Sequence, residues 1–385
     1  MENFVFQLPT RLVFARGGRR QIGTECARLG SRVLLVAGRR HLRDSGRHRE
    51  LTTSLAAAGV QWRELTGIKP NPELGQVRQG IELVRTHGLT AVVAVGGGSV
   101  LDSAKAVAAG AGVAHDIKLF FRGKKSIKTS LPLLCLPTLA GSGSELNSGM
   151  VLTDEERGVK LGIGNRHLFP ATTILDPQLT TTVPWPQTLA GAVDAICHLG
   201  EFLITDQHRS HRLQDRLAAG LIRTIMESCQ TLQHQPADYP ARADLLWASS
   251  LALSGLNTAG RGKVQFPLHL LSHAVASRHD LPHGAILAAL WPAWLEFETG
   301  QRPERIEALN RAVFESAAAP VGQGSSQPWR RWLQAMGAPT GLAALGIPPE
   351  PPAIEAIIAA AAPQARLWRL SCPEEQIRRI LLAAC

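Results

Sequence analysis

The first half of the chain alternates short, β-branched apolar runs with stretches of helical periodicity. Arg32-Val33-Leu34-Leu35-Val36, Ala91-Val92-Val93-Ala94-Val95 and Leu131-Pro132-Leu133-Leu134-Cys135-Leu136 lack the polar alternation of a strand with one wet face. Strands apolar on both faces must be covered on both, which calls for a parallel sheet flanked by helices. Thr172 to Leu175, followed by Asp176-Pro177, reads as the last strand and its turn, and beyond about Pro184 such runs cease. From there Ala, Leu and Ile recur at spacings of three and four, as in Ala241 to Leu256 and Ile377 to Ala384, so the second half is expected to be all helical. Pro- and Gly-rich links at Gly337 to Thr340 and Gly346 to Pro352 punctuate those helices. With 385 residues the chain exceeds one ordinary domain, and the expected boundary gives an α/β domain over 1–184 and a helical domain over 185–385.

Charge and cysteine usage narrow the function classes. Forty-one Lys and Arg against 31 Asp and Glu leave a formal charge of +10, which suits either nucleic acid or phosphorylated small ligands. The basic residues are spread out, aromatics are only 5%, and no basic run alternates with stacking rings, so no nucleic-acid partner is expected. Six widely spaced cysteines form no Cys-x-x-Cys pair, which argues against a thiolate zinc knuckle or a disulfide framework and for a reducing compartment. The N-terminus lacks a basic leader, and no uninterrupted apolar stretch reaches the about eighteen residues a bilayer needs. A cytoplasmic protein without a membrane partner is expected.

The run Ala91 to Val95 leads directly into Gly96-Gly97-Gly98-Ser99 and then a helical pattern carrying Asp102 and Lys105. Glycines at such a turn let backbone N–H groups approach a pyrophosphate, and the helix N-terminus adds partial positive charge. A second polar turn, Pro137 to Glu145, follows the next strand. Two such turns at strand ends match the crevice where open α/β sheets bind dinucleotides.

In the helical half, Asp194 and His198 stand four apart, on one helix face. His269 and His273 repeat that spacing, and His283 follows at an expected helix boundary. One carboxylate and several imidazoles suit Fe(II) or Zn(II) better than Ca(II) or Mg(II). His279 and Cys197 fall outside the pattern, and spacing alone leaves open which of His269 and His273 would bind the ion.

The order of Pro70-Asn71-Pro72-Glu73, the Gly96 to Lys105 turn, Pro137 to Glu145, Lys160, Asp176-Pro177, Asp194 to Glu201 and His269 to Gly284 resembles the iron-containing, or group III, alcohol dehydrogenase family along nearly the whole chain. Asn3 to Phe6, Pro9-Thr10 and Ala241 to Ala248 are most similar to its NADPH-dependent butanol dehydrogenase and aldehyde reductase branch. The resemblance implies a Rossmann-like dinucleotide-binding domain, a helical metal-binding domain, a homodimer, and small aldehydes and primary alcohols as substrates. It also implies Asp194, His198, His269 and His283 as ligands of one divalent cation, with His273 as a catalytic neighbour near the nicotinamide. Gly97, Gly98, Ser99 and Asp102 would hold the pyrophosphate, Thr138, Ser142 and Lys160 the ribose and nicotinamide end, and Asn71 the adenosine half.

After the second strand, Gly38-Arg39-Arg40 stands where NAD-using members carry an acid. A carboxylate there would repel a 2′-phosphate, so its absence beside two guanidinium groups favours NADP(H) over NAD(H). Lys263 to Pro267 departs from the family pattern and is expected to reshape the substrate pocket. Competing readings are a glycerol dehydrogenase or dehydroquinate synthase on the same scaffold, whose ligand patterns differ, and, from another class, a non-catalytic nucleic-acid or metal-binding protein motivated by the charge.

Overall fold

A computed structural model of the chain describes residues 1–38, 46–206, 211–314, 324–348 and 350–385. The chain divides into two compact units, Leu8–Thr182 and Met1–Gln7 with Val183–Cys385. The first seven residues thus fall with the helices, tied there by the Glu2 N–H donating to the Gly260 carbonyl at 2.9 Å.

In the α/β unit the strands are β1 (Arg11–Phe14), β2 (Arg32–Gly38), β3 (Gln61–Ile68), β4 (Ala91–Gly96), β5 (Leu133–Pro137), β6 (Gly149–Asp154), β7 (Val159–Gly164) and β8 (Thr172–Leu175). The helices are α1 (Ile22–Ala27), α2 (Arg47–Ala57), α3 (Leu74–Thr86), α4 (Gly98–Ala111) and the single turn α5 (Lys118–Phe121). Six strands form one sheet in the order β1-β8-β5-β4-β2-β3, every pair parallel, while β6 and β7 form a separate antiparallel hairpin. The apolar runs are uninterrupted because successive residues feed different cores. Leu34, Val36, Val92, Ala94, Leu133 and Cys135 pack on one face with Val77, Ile81 and Val107. Val33, Leu35, Val93, Val95, Leu134 and Leu136 pack on the other with Ile22, Leu51 and Leu55. Each such side chain contributes about 1.5–3 kcal/mol of burial, so a polar residue at any of these positions would be costly.

Strands β1 and β3 and the hairpin are absent from the sequence reading. β1 and β3 lie at the sheet edges and β6 alternates buried with half-buried residues, so none shows a solid apolar run. Chain order reverses between β2 and β4: β3 adds outside β2, whereas β4, β5 and β8 extend the sheet the opposite way. The carboxyl ends of β2 and β4 therefore flank the topological switch point where such sheets bind ligands.

The second unit contains α6 (Trp185–Thr205), α7 (Arg212–His234), α8 (Tyr239–Ala252), α9 (Pro267–Ala276), α10 (His283–Gln301), α11 (Pro303–Phe314), α12 (Gln327–Met336), α13 (Pro351–Trp368) and α14 (Glu374–Ala383), with no strand among the described residues. α6 is long and apolar enough to cross a bilayer but is 94% buried within the protein, as a core helix is. Gly337 and Gly346, at φ 80° and 73°, end helical segments in the left-handed conformation, the punctuation expected of them.

Candidate functional site

The glycine turn follows β4 directly. Gly97 caps α4 in an extended conformation and its carbonyl accepts the N–H groups of Val100 and Leu101. The N–H groups of Gly98 and Ser99, in the first turn, have no intrahelical acceptor and project from the helix end, as anion binding requires. Gly98 is demanded by close approach, since a Cβ there would lie 2.7 Å from the Ser142 Oγ and 2.9 Å from its Cβ. The turn after β5 is thereby brought onto the turn after β4. Thr138 begins that second turn, its N–H donating to the Gly96 carbonyl at 3.0 Å, and the register of β2 with β4 sets Gly38 at the neighbouring strand end. Arg39 and Arg40 lie outside the described residues.

Two expected contacts look different in three dimensions. Asp102 spends both carboxylate oxygens on the protein, one accepting from the Ser144 hydroxyl at 2.6 Å and one from the Val151 N–H at 2.9 Å. It fastens the second turn and the hairpin to α4, and burial raises its pKa. Asn71 and Lys160, assigned above to opposite ends of a dinucleotide, are hydrogen-bonded to each other at 2.9 Å. Asn71 adopts the left-handed conformation at φ 54°, uncommon for any residue but glycine and a mark of a functional constraint. Lys105 is fully buried, donating to the Asn147 and Gly149 carbonyls and to the Asn147 side chain, and so is structural.

In the helical unit α6 supplies Asp194 and His198, α9 supplies His269 and His273, and α10 begins with His283. Gly284 allows that start, because a Cβ there would fall 1.9 Å from the Ala190 carbonyl oxygen of α6. Three imidazoles converge on one carboxylate oxygen. His269 Nε2 lies 3.3 Å, His283 Nε2 3.7 Å and His198 Nδ1 3.7 Å from Asp194 Oδ1. The Asp194, His198 and His269 donor atoms all fall within 4.8 Å of one another, and the His198 and His269 rings stack at 4.2 Å. His273 stands one turn beyond, its ring 5.4 Å from that of His283 and 6.5 Å from that of His269. Phe266 sets its edge against His198 and His269, and Trp368 lies beside Phe266 and His273, so part of the unusual Lys263 to Pro267 stretch borders the imidazoles.

Charge at the cluster is set by burial and by the groups on each other. Burial alone would raise the Asp194 carboxyl, but His198, His269 and His283 hold it well below the usual carboxylate range. Burial, with His269 alongside, pushes His198 down to about 3. Burial opposes the charged form of His269 too, yet the Glu201 and Asp194 carboxylates outweigh it and raise that imidazole to about 9.

Glu201 escaped the sequence reading as a site residue. It is fully buried on α6, accepts the Leu268 and His269 N–H groups at 2.6 and 3.3 Å on Oε1, and pairs through Oε2 with His269 Nδ1. Ser272 likewise meets His283 Nδ1 at 2.8 Å. The available signal was spacing: Glu201 is seven residues from Asp194, two helical turns along the same face.

A glycine turn at a switch point and a cluster of nitrogen and oxygen donors in one chain are features that a dehydrogenase combining a nicotinamide with a bound cation requires. The pattern described as "Iron-containing alcohol dehydrogenase" matches residues 9–177 and that described as "Fe-containing alcohol dehydrogenase family, C-terminal" matches 188–385, so the chain belongs to the iron-containing alcohol dehydrogenase family and is an NAD(P)-dependent oxidoreductase. It is 36% identical over 316 residues to a probable NADH-dependent butanol dehydrogenase of Bacillus subtilis, covering 82% of this chain and 81% of the relative. It is 32% identical over 357 residues to the NADPH-dependent aldehyde reductase YqhD of Escherichia coli, covering 90% of each. Among solved structures, the NADH-dependent butanol dehydrogenase A of Thermotoga maritima matches with a TM-score of 0.96 at 34% identity, covering 100% of this chain and 99% of the other.

Proposed function

We propose that this protein interconverts small aldehydes and primary alcohols, with Asp194, His198, His269 and His283 holding one divalent cation, Fe(II) or Zn(II), and NADP(H) carrying the hydride. The observation that carries this reading is the convergence of three imidazoles, two of them buried and His283 partly so, on a single Asp194 oxygen. Two imidazoliums would not stack at 4.2 Å, so the stacked pair holds at most one proton in excess, and imidazoles beside one carboxylate are, once neutral, the donor set of a borderline-soft cation. The buried His198 Nδ1 has no hydrogen-bond partner, consistent with a place for an ion. The α/β unit is assigned the dinucleotide and the helical unit the cation.

A cation so held supplies Lewis-acid polarisation of a carbonyl oxygen, and the nicotinamide supplies hydride. The chain's own work is placement and charge. Gly97, Gly98 and Ser99 offer backbone N–H groups to the pyrophosphate; Thr138, Ser142 and the Lys160–Asn71 pair line the rest of the dinucleotide's path. Asp194 balances positive charge at the centre, and the buried imidazoles exclude water. His273 is assigned the proton that passes between substrate oxygen and solvent, a task suited to an imidazole. An His273→Ala variant that keeps full turnover would remove it from that role.

NADP(H) is favoured over NAD(H) because Gly38 closes β2 with no acid beside it and Arg39-Arg40 follow. Relatives named for each cofactor exist, so the choice is tested directly. Oxidation of NADPH and NADH is followed with an aldehyde panel, after chelation and after return of Fe(II) or Zn(II). NADPH is expected to give the higher kcat/KM, with activity lost on chelation and regained on return. Turnover that survives complete metal removal, or glycerol oxidation or phosphate release outranking aldehyde reduction, would reject the reading. A cytoplasmic homodimer fits the six free cysteines and the exposed Phe4, Val5 and Phe6; a monomer in sedimentation would reject the dimer.

A further inference from the structure

Helix α6 aligns Asp194, His198, Glu201 and Thr205 at steps of four, three and four, three turns to within about 20°. The first two belong to the proposed ligand set. The other two grip the segment that delivers His269. Thr205 Oγ1 accepts the Gln265 N–H at 3.1 Å and lies 3.1 Å from the Gln265 carbonyl, fixing the chain just before α9. Glu201 then takes the first N–H groups of α9 on one oxygen and His269 Nδ1 on the other.

We propose that Glu201 is the positioning residue of the metal centre: it dictates the tautomer of His269 and thereby how tightly the cation is kept. The inference rests on the metal reading above. A neutral imidazole carries one N–H and one lone pair, and an ionised carboxylate can only accept. Facing Glu201, Nδ1 must therefore keep the hydrogen in the neutral form, so the lone pair falls on Nε2, the nitrogen on the Asp194 side, 3.3 Å from Oδ1. His283 is not governed in this way, because Ser272 both donates and accepts and so does not choose its tautomer. His269 is the anchor of the set because the protein has fixed its ligand atom in advance.

Glu201→Gln separates this role from packing. Its carbonyl oxygen can still accept the Leu268 and His269 N–H groups, but its NH2 then faces Nδ1. Nδ1 must accept and Nε2 must carry the hydrogen, the form that cannot donate to a cation. Zinc affinity, measured on the full-length protein by competition with a chromophoric chelator, is expected to fall about ten- to hundredfold. The visible bands of the cobalt(II)-loaded protein are expected to change as well, while the metal-free protein still unfolds cooperatively, at a somewhat lower temperature from loss of the buried pair. Ser272→Ala is expected to lose less than Glu201→Gln. Zinc affinity within about twofold of the parent with an unchanged cobalt spectrum, or an equal loss in Ser272→Ala, would overturn the inference. Should the amide variant misfold, Glu201→Asp, which withdraws the acid by one methylene, applies the same test, and unaltered zinc affinity there counts against the idea. A parent protein that binds no zinc would instead reject the metal reading itself.

Discussion

Asp194 is where the centre is most exposed to a single change. Its Oδ1 is the common neighbour of His198, His269 and His283, and it is the one anion in the proposed ligand set. Asp194→Asn is expected to leave less than one equivalent of bound metal under conditions that saturate the parent, and to cut turnover by at least about a hundredfold, more than the loss typical of outer partners. The two ends of the imidazole stack also differ in protonation. Without metal, His269, raised to about 9, is charged at neutral pH, whereas His198, near 3, is not. A ligating imidazole must be neutral, so loading at pH 7 has to expel the His269 proton. The sign follows: affinity for zinc should rise with pH up to about 9 and fall by about tenfold per unit below it from this one group. Proton release on adding zinc to weakly buffered metal-free protein measures this directly, and an affinity flat between pH 6 and 9 would contradict it.

At the scale of elements, two close approaches can be tested separately. A methyl at Gly284 would meet the Ala190 backbone oxygen at 1.9 Å, so Gly284→Ala must push α10 away from α6 and carry His283 with it. The expected result is a loss of about 3 kcal/mol in chemical unfolding, with weakened zinc binding. A methyl at Gly98 would meet Ser142 and break the join between the two turns of the sheet unit. Gly98→Ala should raise the dinucleotide KM about tenfold or more while leaving the zinc affinity of the helical unit as it was, since the added Cβ displaces the backbone donors offered to only one ligand. If both glycine variants disturbed both ligands equally, the assignment of one ligand to each unit would be wrong.

Across the molecule, the parts legible in the sequence were those whose residue pattern is dictated by burial on all sides. β2, β4, β5 and β8 stand out because each is β-branched or apolar and buried on two faces, and the switch from such runs to three- and four-residue spacings marks where the helices take over. β3 was missed because Gln61-Trp62-Arg63-Glu64 looks like surface, as an edge strand does. Spacing placed Asp194 with His198, and His269 with His273, but only tertiary packing brings α9 and α10 against α6. Glu201 went unnoticed because its one local signal, the seven-residue step from Asp194, does not by itself separate a buried carboxylate that orients an imidazole from one that faces water. Asp102 shows the converse: a position suited to a ligand contact turned out to bind Ser144 and Val151.

Every side chain assigned to the cation, and the Glu201 carboxylate that backs one of them, belongs to the helical unit alone. With the cation assigned there, metal uptake is expected to proceed without bound nicotinamide. On that assignment the protein's demand for metal would track its abundance, not its workload.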